Sequence, residues 1–269
     1  MQKWRLIHSG YTSGARNMAI DEAITVAVGE GSVPPTIRFY GWNPPCLSLG
    51  YAQKAGEVEW EVCRQYGVDV VRRPTGGRAI LHDQEVTYSL TAPEEDPLVS
   101  GSILESYLKI SRGLLAGMEK IGIKAEIVSH KDLSGLGTGA CFDSPSFYEL
   151  VVQGRKAVGS AQTRKNGTVL QHGSIIRELD VEQLFAVLHF PKSEIRARMK
   201  EAFKNKACSL QEVAGRSLTD QEIIQAMGQG FAEGLGIDLV TGSLSKRELE
   251  LAEELELNKY NSVEWNQKR

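Results

Sequence analysis

Apolar side chains that recur every three or four residues predict several helices in this chain. The clearest helix is expected over 102–121, where an apolar stripe starts at Ile103 and continues through Tyr107 and Ile110 to Ile121, with Gly122 as a typical helix stop. A second helix is expected over 17–28, with Asn17 as its N-cap. Further periodic stretches predict a short helix over 58–66 and a mainly helical C-terminal portion with runs near 181–189, 192–203, 219–234 and 245–258.

Shorter apolar or alternating runs predict β-strands. Residues 36–40 and 46–51 flank a Gly- and Pro-containing turn and are expected to form a hairpin. Residues 85–91 alternate with the period of a half-buried strand. Three later runs separated by short turns predict a meander over 147–153, 157–163 and 168–176.

Composition favours a soluble globular protein with one domain. The 269 residues are 41% hydrophobic and 24% charged, and no Pro/Gly-rich linker divides them. The chain has no run of about 18 apolar residues and no signal-peptide pattern at its start, so we expect a cytoplasmic protein without a membrane anchor. A formal net charge of −3 disfavours a general nucleic-acid binder.

Four cysteines stand far apart without a C-x-x-C pair, which predicts free thiols rather than a zinc ribbon or a disulfide framework. Cys46, Cys63 and Cys208 are expected to be structural. Histidine and carboxylate residues show no metal-ligand spacing, so no metal site is predicted.

The stretch from Arg72 to Asp83 combines two adjacent glycines with three arginines and a histidine. Gly76 and Gly77 permit positive φ and close backbone approach, so backbone N–H groups there could hold a carbonyl or a phosphate. A hairpin turn with solvated arginines is an equally consistent interpretation. No general nucleotide-binding motif occurs, since the glycines at 135–139 lack the required spacing and a following helix.

Two residues are candidates for nucleophilic chemistry. Cys141 ends a stretch of small residues, 131–139, that is expected to be a mobile surface loop. Lys156 follows fifteen residues later at the start of a predicted strand, from which an ammonium group could lower the pKa of the thiol and transfer protons. A loop cysteine without a role and a solvated lysine are the alternatives at this point.

Three further features could serve a ligand or a partner. His82 and His172 border predicted strands near glycine-rich turns and could bind a ligand or be structural. Basic residues recur every four positions from Lys192 to Lys204, a stripe that could dock an acidic carrier domain or simply face water.

Four motifs occur in order along the chain: Arg72 to Asp83, Ala140-Cys141-Phe142-Asp143 with Tyr148-Glu149, Gly154 to Gln162, and Gln171-His172-Gly173-Ser174-Ile175. Together they resemble the biotin/lipoate protein ligase superfamily, and most closely its octanoyltransferase branch of the LipM type. The resemblance extends from Trp4 to Asn266. It implies an α/β fold with a mixed, largely antiparallel sheet and packed helices, with a catalytic core of about 33–240 and a helical extension of about 241–269.

The resemblance also implies a reaction of lipoate biosynthesis. Cys141 would attack the octanoyl thioester of octanoyl-acyl carrier protein, and a lysine of an apo lipoyl domain, such as the glycine cleavage H protein, would then take the acyl group. Lys156 matches the family lysine that lowers the cysteine's pKa and assists proton transfer. The residues that match the acyl pocket are Arg73, Thr75, Gly76, Gly77 and His82 on the loop, with Gly159, Ser160 and Ala161 on the facing strand. Neither ATP nor another cofactor is required.

Three alternatives stay open. An ATP-dependent lipoate ligase shares the loop around Gly76 and Gly77, which we call the glycine loop, but does not need a cysteine at position 141. An octanoyl amidotransferase acting between lipoyl domains also uses a cysteine. A non-enzymatic module that binds acylated domains would use the basic stripe instead.

Overall fold

The computed structural model describes residues 1–129 and 148–269, so Cys141 and the predicted loop before it lie outside the described residues. Two sheets organise the described chain. Their strands are β1 (Lys3–Thr12), β2 (Thr36–Trp42), β3 (Cys46–Leu49), β4 (Asp69–Arg72), β5 (Ile80–His82), β6 (Glu85–Pro93), β7 (Glu126–Ser129), β8 (Tyr148–Val152), β9 (Arg155–Lys165), β10 (Thr168–Ile176) and β11 (Asp238–Thr241).

The larger sheet has the strand order β11-β1-β2-β6-β10-β9-β8-β7. Strands β11, β1 and β2 are parallel neighbours, and the remaining pairs are antiparallel. The α/β fold class with a mixed, largely antiparallel sheet is therefore confirmed. The predicted meander is also confirmed as β8, β9 and β10.

Helices pack against both faces of this sheet and against the smaller sheet. They are α1 (Gly14–Gly29), α2 (Trp60–Gln65), α3 (Ile103–Lys120), α4 (Val181–Val187), α5 (Ser193–Lys204), α6 (Leu210–Ala214), α7 (Asp220–Leu235), α8 (Lys246–Leu255) and α9 (Val263–Asn266). Buried side chains of α3 and α7 share a core with alternate residues of β2 and β6, such as Phe39 and Tyr88. On the opposite face, α1 and α8 pack against Ile7 and Tyr40. None of the helices in the two described ranges is long and apolar enough to cross a membrane.

The predicted hairpin over 36–51 is wrong. β2 joins the large sheet, whereas β3 forms the centre of a separate three-stranded sheet of order β4-β3-β5. β4 runs parallel to β3, and β5 runs antiparallel to it. The glycine loop therefore passes from one side of β3 to the other, which excludes the simple hairpin turn.

Two local predictions also need correction. The N-cap of α1 is Ser13, whose side chain accepts the Arg16 backbone N–H, while Asn17 is fully buried and donates to the carbonyl oxygen of Gly41 at 2.9 Å. β6 is not half-buried, because every residue from Glu85 to Ala92 is buried. Helices on both faces of the sheet enclose its polar as well as its apolar side chains.

The C-terminal segment packs onto the N-terminal half of the chain. Arg5 in β1 forms a buried ion pair with Glu248 of α8 at 2.5 Å. At the far end, the Asn266 side-chain oxygen accepts the backbone N–H of Arg72 at 2.7 Å. The start of the glycine loop is thus fixed by a residue 194 positions later in sequence.

Candidate active site

A cavity of about 650 Å³ lies where the large sheet, the small sheet and helices α3 to α5 meet. Leu184, Phe185 and Leu188 of the α4 region form an apolar wall together with Phe190 and Phe203. Among the residues predicted from the sequence, the cavity is lined by Arg73, Gly76, Gly77, His82, Lys156, Gly159, Ser160 and Ala161. The lining combines polar groups with aromatic side chains, which suits a ligand with a polar and an apolar part.

Lys156 reaches the cavity from the second position of β9. Its Nζ lies 2.9 Å from Glu149 Oε1 on the neighbouring strand β8, and both side chains are mostly buried. Its backbone is fixed as well, since its N–H donates to the carbonyl oxygen of Lys206 at 2.7 Å and its carbonyl accepts the N–H of Cys208 at 3.0 Å. The ammonium group is therefore held in place by strand pairing and by a carboxylate.

Arg73 is buried beneath the glycine loop rather than solvated. One terminal nitrogen donates to the carbonyl and hydroxyl oxygens of Ser48 at 2.9 and 3.1 Å, and the other donates to the carbonyl oxygens of Gly76 and Arg78 at 2.6 and 2.8 Å. Burial lowers the pKa of Arg73 to about 10, which leaves the side chain charged at neutral pH. Arg73 closes the loop on itself by binding its backbone.

His82 has both ring nitrogens engaged within the protein. Nε2 lies 2.7 Å from the Ser48 hydroxyl, and Nδ1 lies 2.7 Å from Glu85 Oε1. Its ring stacks on Trp42 with centroids 4.1 Å apart and an angle of 12°. His82 therefore lines the cavity without a spare nitrogen for a ligand.

A second histidine lies at the other side of the loop. Thr75 does not line the cavity, but its hydroxyl lies 2.6 Å from Nε2 of His172, which does. Nδ1 of His172 lies 3.5 Å from Asp21, too far for a full hydrogen bond. Burial lowers the pKa of His172 despite the opposing effect of Asp21, so its neutral form is favoured.

Gly77 and Gly50 set the shape of the glycine loop. Gly77 has a φ of +92°, as expected, whereas Gly76 does not have the positive φ that the sequence also allowed for it. A side chain at Gly50 would collide with the carbonyl oxygen of Gly77, whereas one at Gly76 would meet no atom within 4 Å. The hydrogen bonds among the described residues leave the N–H groups of Gly76 and Gly77 without an acceptor. A ligand carbonyl is a chemically suitable acceptor for them.

The facing strand is placed by its register with β10. Ser160 lies opposite Gly173, and Ala161 lies opposite His172. The Ser160 hydroxyl is 2.8 Å from the Tyr88 hydroxyl, and a side chain at Gly173 would crowd Ser160. Small residues on both strands therefore keep this wall of the cavity open.

Sequence reasoning missed Ser48, Glu85, Asp21 and Glu149 as parts of the site. Asp21 carried a usable signal, because a carboxylate three residues from both Met18 and Ile24 falls on the apolar face of its helix. Its burial would raise its pKa, but Arg38 at 2.7 Å and its other partners outweigh this effect, and the pKa lies below the ordinary value. Glu149 stands in one of the quoted motifs but was given no role there, and Glu85 lies only three residues after His82. Ser48 became recognisable only through the pairing of β3 with β5.

The cysteines other than the predicted nucleophile Cys141 are poor candidates for thiolate chemistry. Burial raises the pKa of Cys63 and of Cys208 to about 11, and raises that of Cys46 well above its ordinary value. Thiolate is the nucleophilic form, so these three side chains stay protonated and unreactive at neutral pH. Residues 1–129 and 148–269 contain no group of three or more His, Cys, Asp or Glu side chains placed to hold a metal ion.

The basic stripe on α5 is partly neutralised within the chain. Arg196 lies 3.9 Å from Glu59, and Lys200 and Lys204 lie 2.8 and 3.8 Å from Glu182. The stripe is therefore neither a purely solvated face nor an unpaired docking surface.

Comparison with known proteins shows the family of this chain. The profile of the lipoyl protein ligase A/B catalytic domain matches residues 13–232. Two relatives, both called octanoyltransferase LipM, come from Kyrpidia tusciae and Bacillus subtilis. They are 50% and 45% identical to this chain, and the alignments cover all of both proteins.

Solved structures show the same fold. A bipartite lipoate protein ligase of Thermoplasma acidophilum, described with its E2 lipoyl domain, superposes with a TM-score of 0.82 at 23% identity over 99% of this chain and 97% of its own. A lipoate-protein ligase A bound with ATP gives 0.81 at 24% identity over 99% of both chains. Since the family profile covers most of the sequence and the LipM relatives match it throughout, the chain belongs to the lipoyl protein ligase A/B catalytic-domain family and, within it, to the LipM-type octanoyltransferases.

Proposed function

We propose that this octanoyltransferase of lipoate biosynthesis carries its acyl group on Cys141, taking it from octanoyl-acyl carrier protein and passing it to a lysine of an apo lipoyl domain. The observation that carries the proposal is the Lys156 ammonium, held by Glu149 at the wall of a cavity with an apolar side. Glu149 follows Tyr148 at the start of β8, and Cys141 precedes Tyr148 by seven residues in the sequence.

In the first half-reaction, the Cys141 thiolate attacks the carbonyl carbon of the octanoyl thioester. The bond from that carbon to the carrier's sulfur breaks, and the carrier thiolate leaves with a proton from the Lys156 ammonium. Because the bond that forms and the bond that breaks are both thioesters, the step needs no nucleotide. A neighbouring ammonium also favours the thiolate of Cys141 before the attack.

In the second half-reaction, the acceptor lysine amine attacks the Cys141 thioester and forms an amide. The Cys141 sulfur leaves as a thiolate, and Lys156, which gave up its proton in the first step, takes the proton released by the amine. The N–H groups of Gly76 and Gly77 are suited to hold the thioester oxygen as negative charge develops on it. The aromatic wall, including Phe185, would pack along the acyl chain.

The two protein partners are proposed on different grounds. The acceptor is suggested by the Thermoplasma ligase, which is described together with an E2 lipoyl domain. The acyl carrier donor follows from the resemblance in motifs, because a thioester donor suits a cysteine nucleophile. The predicted cytoplasmic location and the division of one domain near residue 240 stay predictions.

Intact-mass measurement of the acyl-enzyme tests this proposal. After mixing with octanoyl-acyl carrier protein alone, the wild-type protein should gain the mass of one octanoyl group, which hydroxylamine removes. Cys141→Ala should gain nothing. Cys208→Ser is the matched control, because Cys208 lies beside Lys156 in the backbone pairing but is buried and protonated, and it should be acylated like the wild type.

Each rival gives a different result. Acylation only from an octanoylated lipoyl domain would identify an amidotransferase. Octanoate-dependent exchange of pyrophosphate into ATP that survives Cys141→Ala would identify a ligase. An unmodified wild-type protein that binds lipoyl domains stoichiometrically would identify a binding module, and each of these outcomes would reject the proposal.

A further inference from the structure

We propose that Ser48, His82 and Glu85 are positioning residues that hold the Arg73 guanidinium and, through it, the Gly76–Gly77 turn. The inference rests on the proposed function, since it assigns the turn to the carbonyl end of the acyl group. It changes the expected role of His82 from a ligand contact to a link in a chain of hydrogen bonds. We call this series of hydrogen bonds, from Arg73 through Ser48 and His82 to Glu85, the Arg73 relay.

The direction of each hydrogen bond follows from the carboxylate at its end. Glu85 Oε1 can only accept, so Nδ1 of His82 carries the hydrogen at 2.7 Å. In the neutral ring Nε2 then has a lone pair, which accepts the Ser48 hydroxyl at 2.7 Å. The oxygen of that hydroxyl accepts from Arg73 at 3.1 Å. All three bonds therefore point from the guanidinium to the carboxylate.

Glu85 is held as an anion by further donors. The hydroxyl of Thr87 donates to its Oε1 at 2.5 Å, and the hydroxyl of Ser174 donates to its Oε2. Burial alone would raise the pKa of Glu85, but His82 and these hydroxyls outweigh it, and the pKa lies below the ordinary value. Trp42 stacks on the imidazole and donates to Thr87 at 2.7 Å, which fixes the plane of the ring.

The relay supplies what the buried guanidinium otherwise lacks. In the described part of the chain no carboxylate lies within ion-pair distance of Arg73, and its terminal nitrogens bind only neutral oxygens. A buried charge without compensation is costly. Aligned dipoles of Ser48 and His82 connect Arg73 to the negative charge of Glu85, and the opposite side of the guanidinium holds the carbonyl oxygens of Gly76 and Arg78.

A serine, a histidine and a glutamate linked by hydrogen bonds also resemble a hydrolytic triad, but the geometry argues against that role. Ser48 has no exposed surface. Its oxygen already accepts from Arg73. A nucleophile must instead approach a carbonyl carbon of the substrate. Ser48 therefore acts through Arg73 and not on the acyl group.

The test compares the rate of Cys141 acylation in Ser48→Ala, Arg73→Lys and the double variant, across concentrations of octanoyl-acyl carrier protein. Loss of one relay bond should lower the maximal acylation rate about tenfold. If Ser48 acts through Arg73, the double variant should be no slower than the slower single variant. Ser48→Thr keeps the hydroxyl and should recover most of the rate. Ser111→Ala, a buried serine of α3 outside the relay, should match the wild type.

His82→Phe is the stronger perturbation, because it keeps the stack on Trp42 but leaves Glu85 without its imidazole. Where His82→Phe folds, it should lose as much of the acylation rate as Ser48→Ala does. If His82→Phe does not fold, Ser48→Ala alone decides the question. Multiplicative losses in the double variant, or equal rates for Ser48→Ala and wild type, would overturn the relay. An absence of acylation in the wild type would instead reject the proposed function, so the two failures are distinguishable.

Discussion

At Gly50 the missing side chain is a steric requirement of the site. A Cβ atom there would occupy the space of the Gly77 carbonyl oxygen, which belongs to a backbone that cannot rotate aside. Gly50 has no need for positive φ, since only Gly77 of the two has one. The contact therefore sets how closely the loop lies against the end of β3.

We expect Gly50→Ala to displace the Gly76–Gly77 turn. Overpacking of this kind costs about 1–3 kcal/mol of folding free energy, and a displaced turn should lower kcat/KM for octanoyl transfer about tenfold. Thermal unfolding and steady-state transfer rates measure the two effects. Gly56→Ala is the control, because a side chain at Gly56 meets no atom within 4 Å. Equal kcat/KM for Gly50→Ala and the wild type would show that the position of the turn does not matter.

Among the elements, α9 has a larger influence on the site than its four residues suggest. The Asn266 side chain accepts the backbone N–H of Arg72 at 2.7 Å, and its carbonyl accepts the Arg72 guanidinium at 2.9 Å. The Trp265 indole donates to the Arg72 carbonyl at 2.8 Å. The C-terminal helix thus completes the hydrogen bonding of the outer edge of β4, directly before the glycine loop.

Asn266→Ala should loosen this edge. The Arg72 N–H would stay buried without its acceptor, which costs about 1–3 kcal/mol. Hydrogen exchange at the amides of β4 should quicken, and the melting temperature should fall by several degrees. Glu264→Ala, an exposed change in the same helix, should alter neither. Unchanged exchange at Arg72 in Asn266→Ala would contradict the proposed dependence of β4 on α9.

Elements whose signal is local were predictable from the sequence, and those that depend on distant partners were not. The stripe from Ile103 predicted α3 to within one residue at each end, because helical periodicity and the Ser102 capping box are encoded nearby. The strand that pairs with β3 is not encoded nearby in the sequence, since the turn after Gly41 fits a hairpin equally well. Ser48 joined the site only through the pairing of β3 with β5, whereas Glu85 lies three residues after His82. The motifs located the loop and Lys156 but not the side chains that hold them.

Across the whole molecule, buried carboxylates tie separate parts of the fold together. Asp21 joins α1 to β2 through Arg38, Glu85 anchors the Arg73 relay, and Glu248 joins α8 to β1 through Arg5. Burial raises the pKa of each, but their partners outweigh it and all three lie below their ordinary values. Their stabilising effect is therefore complete above the ordinary carboxyl pKa values of 3.8 and 4.5 and disappears only as pH falls through the lowered ones.

His172 adds a second pH dependence at higher pH. Burial and the charge of Arg73 hold its pKa below the ordinary 6.5 in the folded state, although Asp21 opposes them. The unfolded chain therefore takes up a proton near pH 6.5 before the folded chain does. The stability contributed by neutral His172 is complete above 6.5 and falls as pH drops toward the folded value, with a limiting slope of about 1.4 kcal/mol per pH unit.

Denaturant unfolding of the wild type and His172→Gln between pH 7.5 and 5 should show how protonation of His172 changes the free energy of unfolding. The expected result is a steeper loss of unfolding free energy below about pH 6.5 in the wild type than in the variant. Gln keeps a polar group for Thr75, and the comparison depends on the slope with pH, so an overall loss of stability in the variant does not affect it. Parallel curves for wild type and His172→Gln would mean that His172 titrates alike in the folded and unfolded chains.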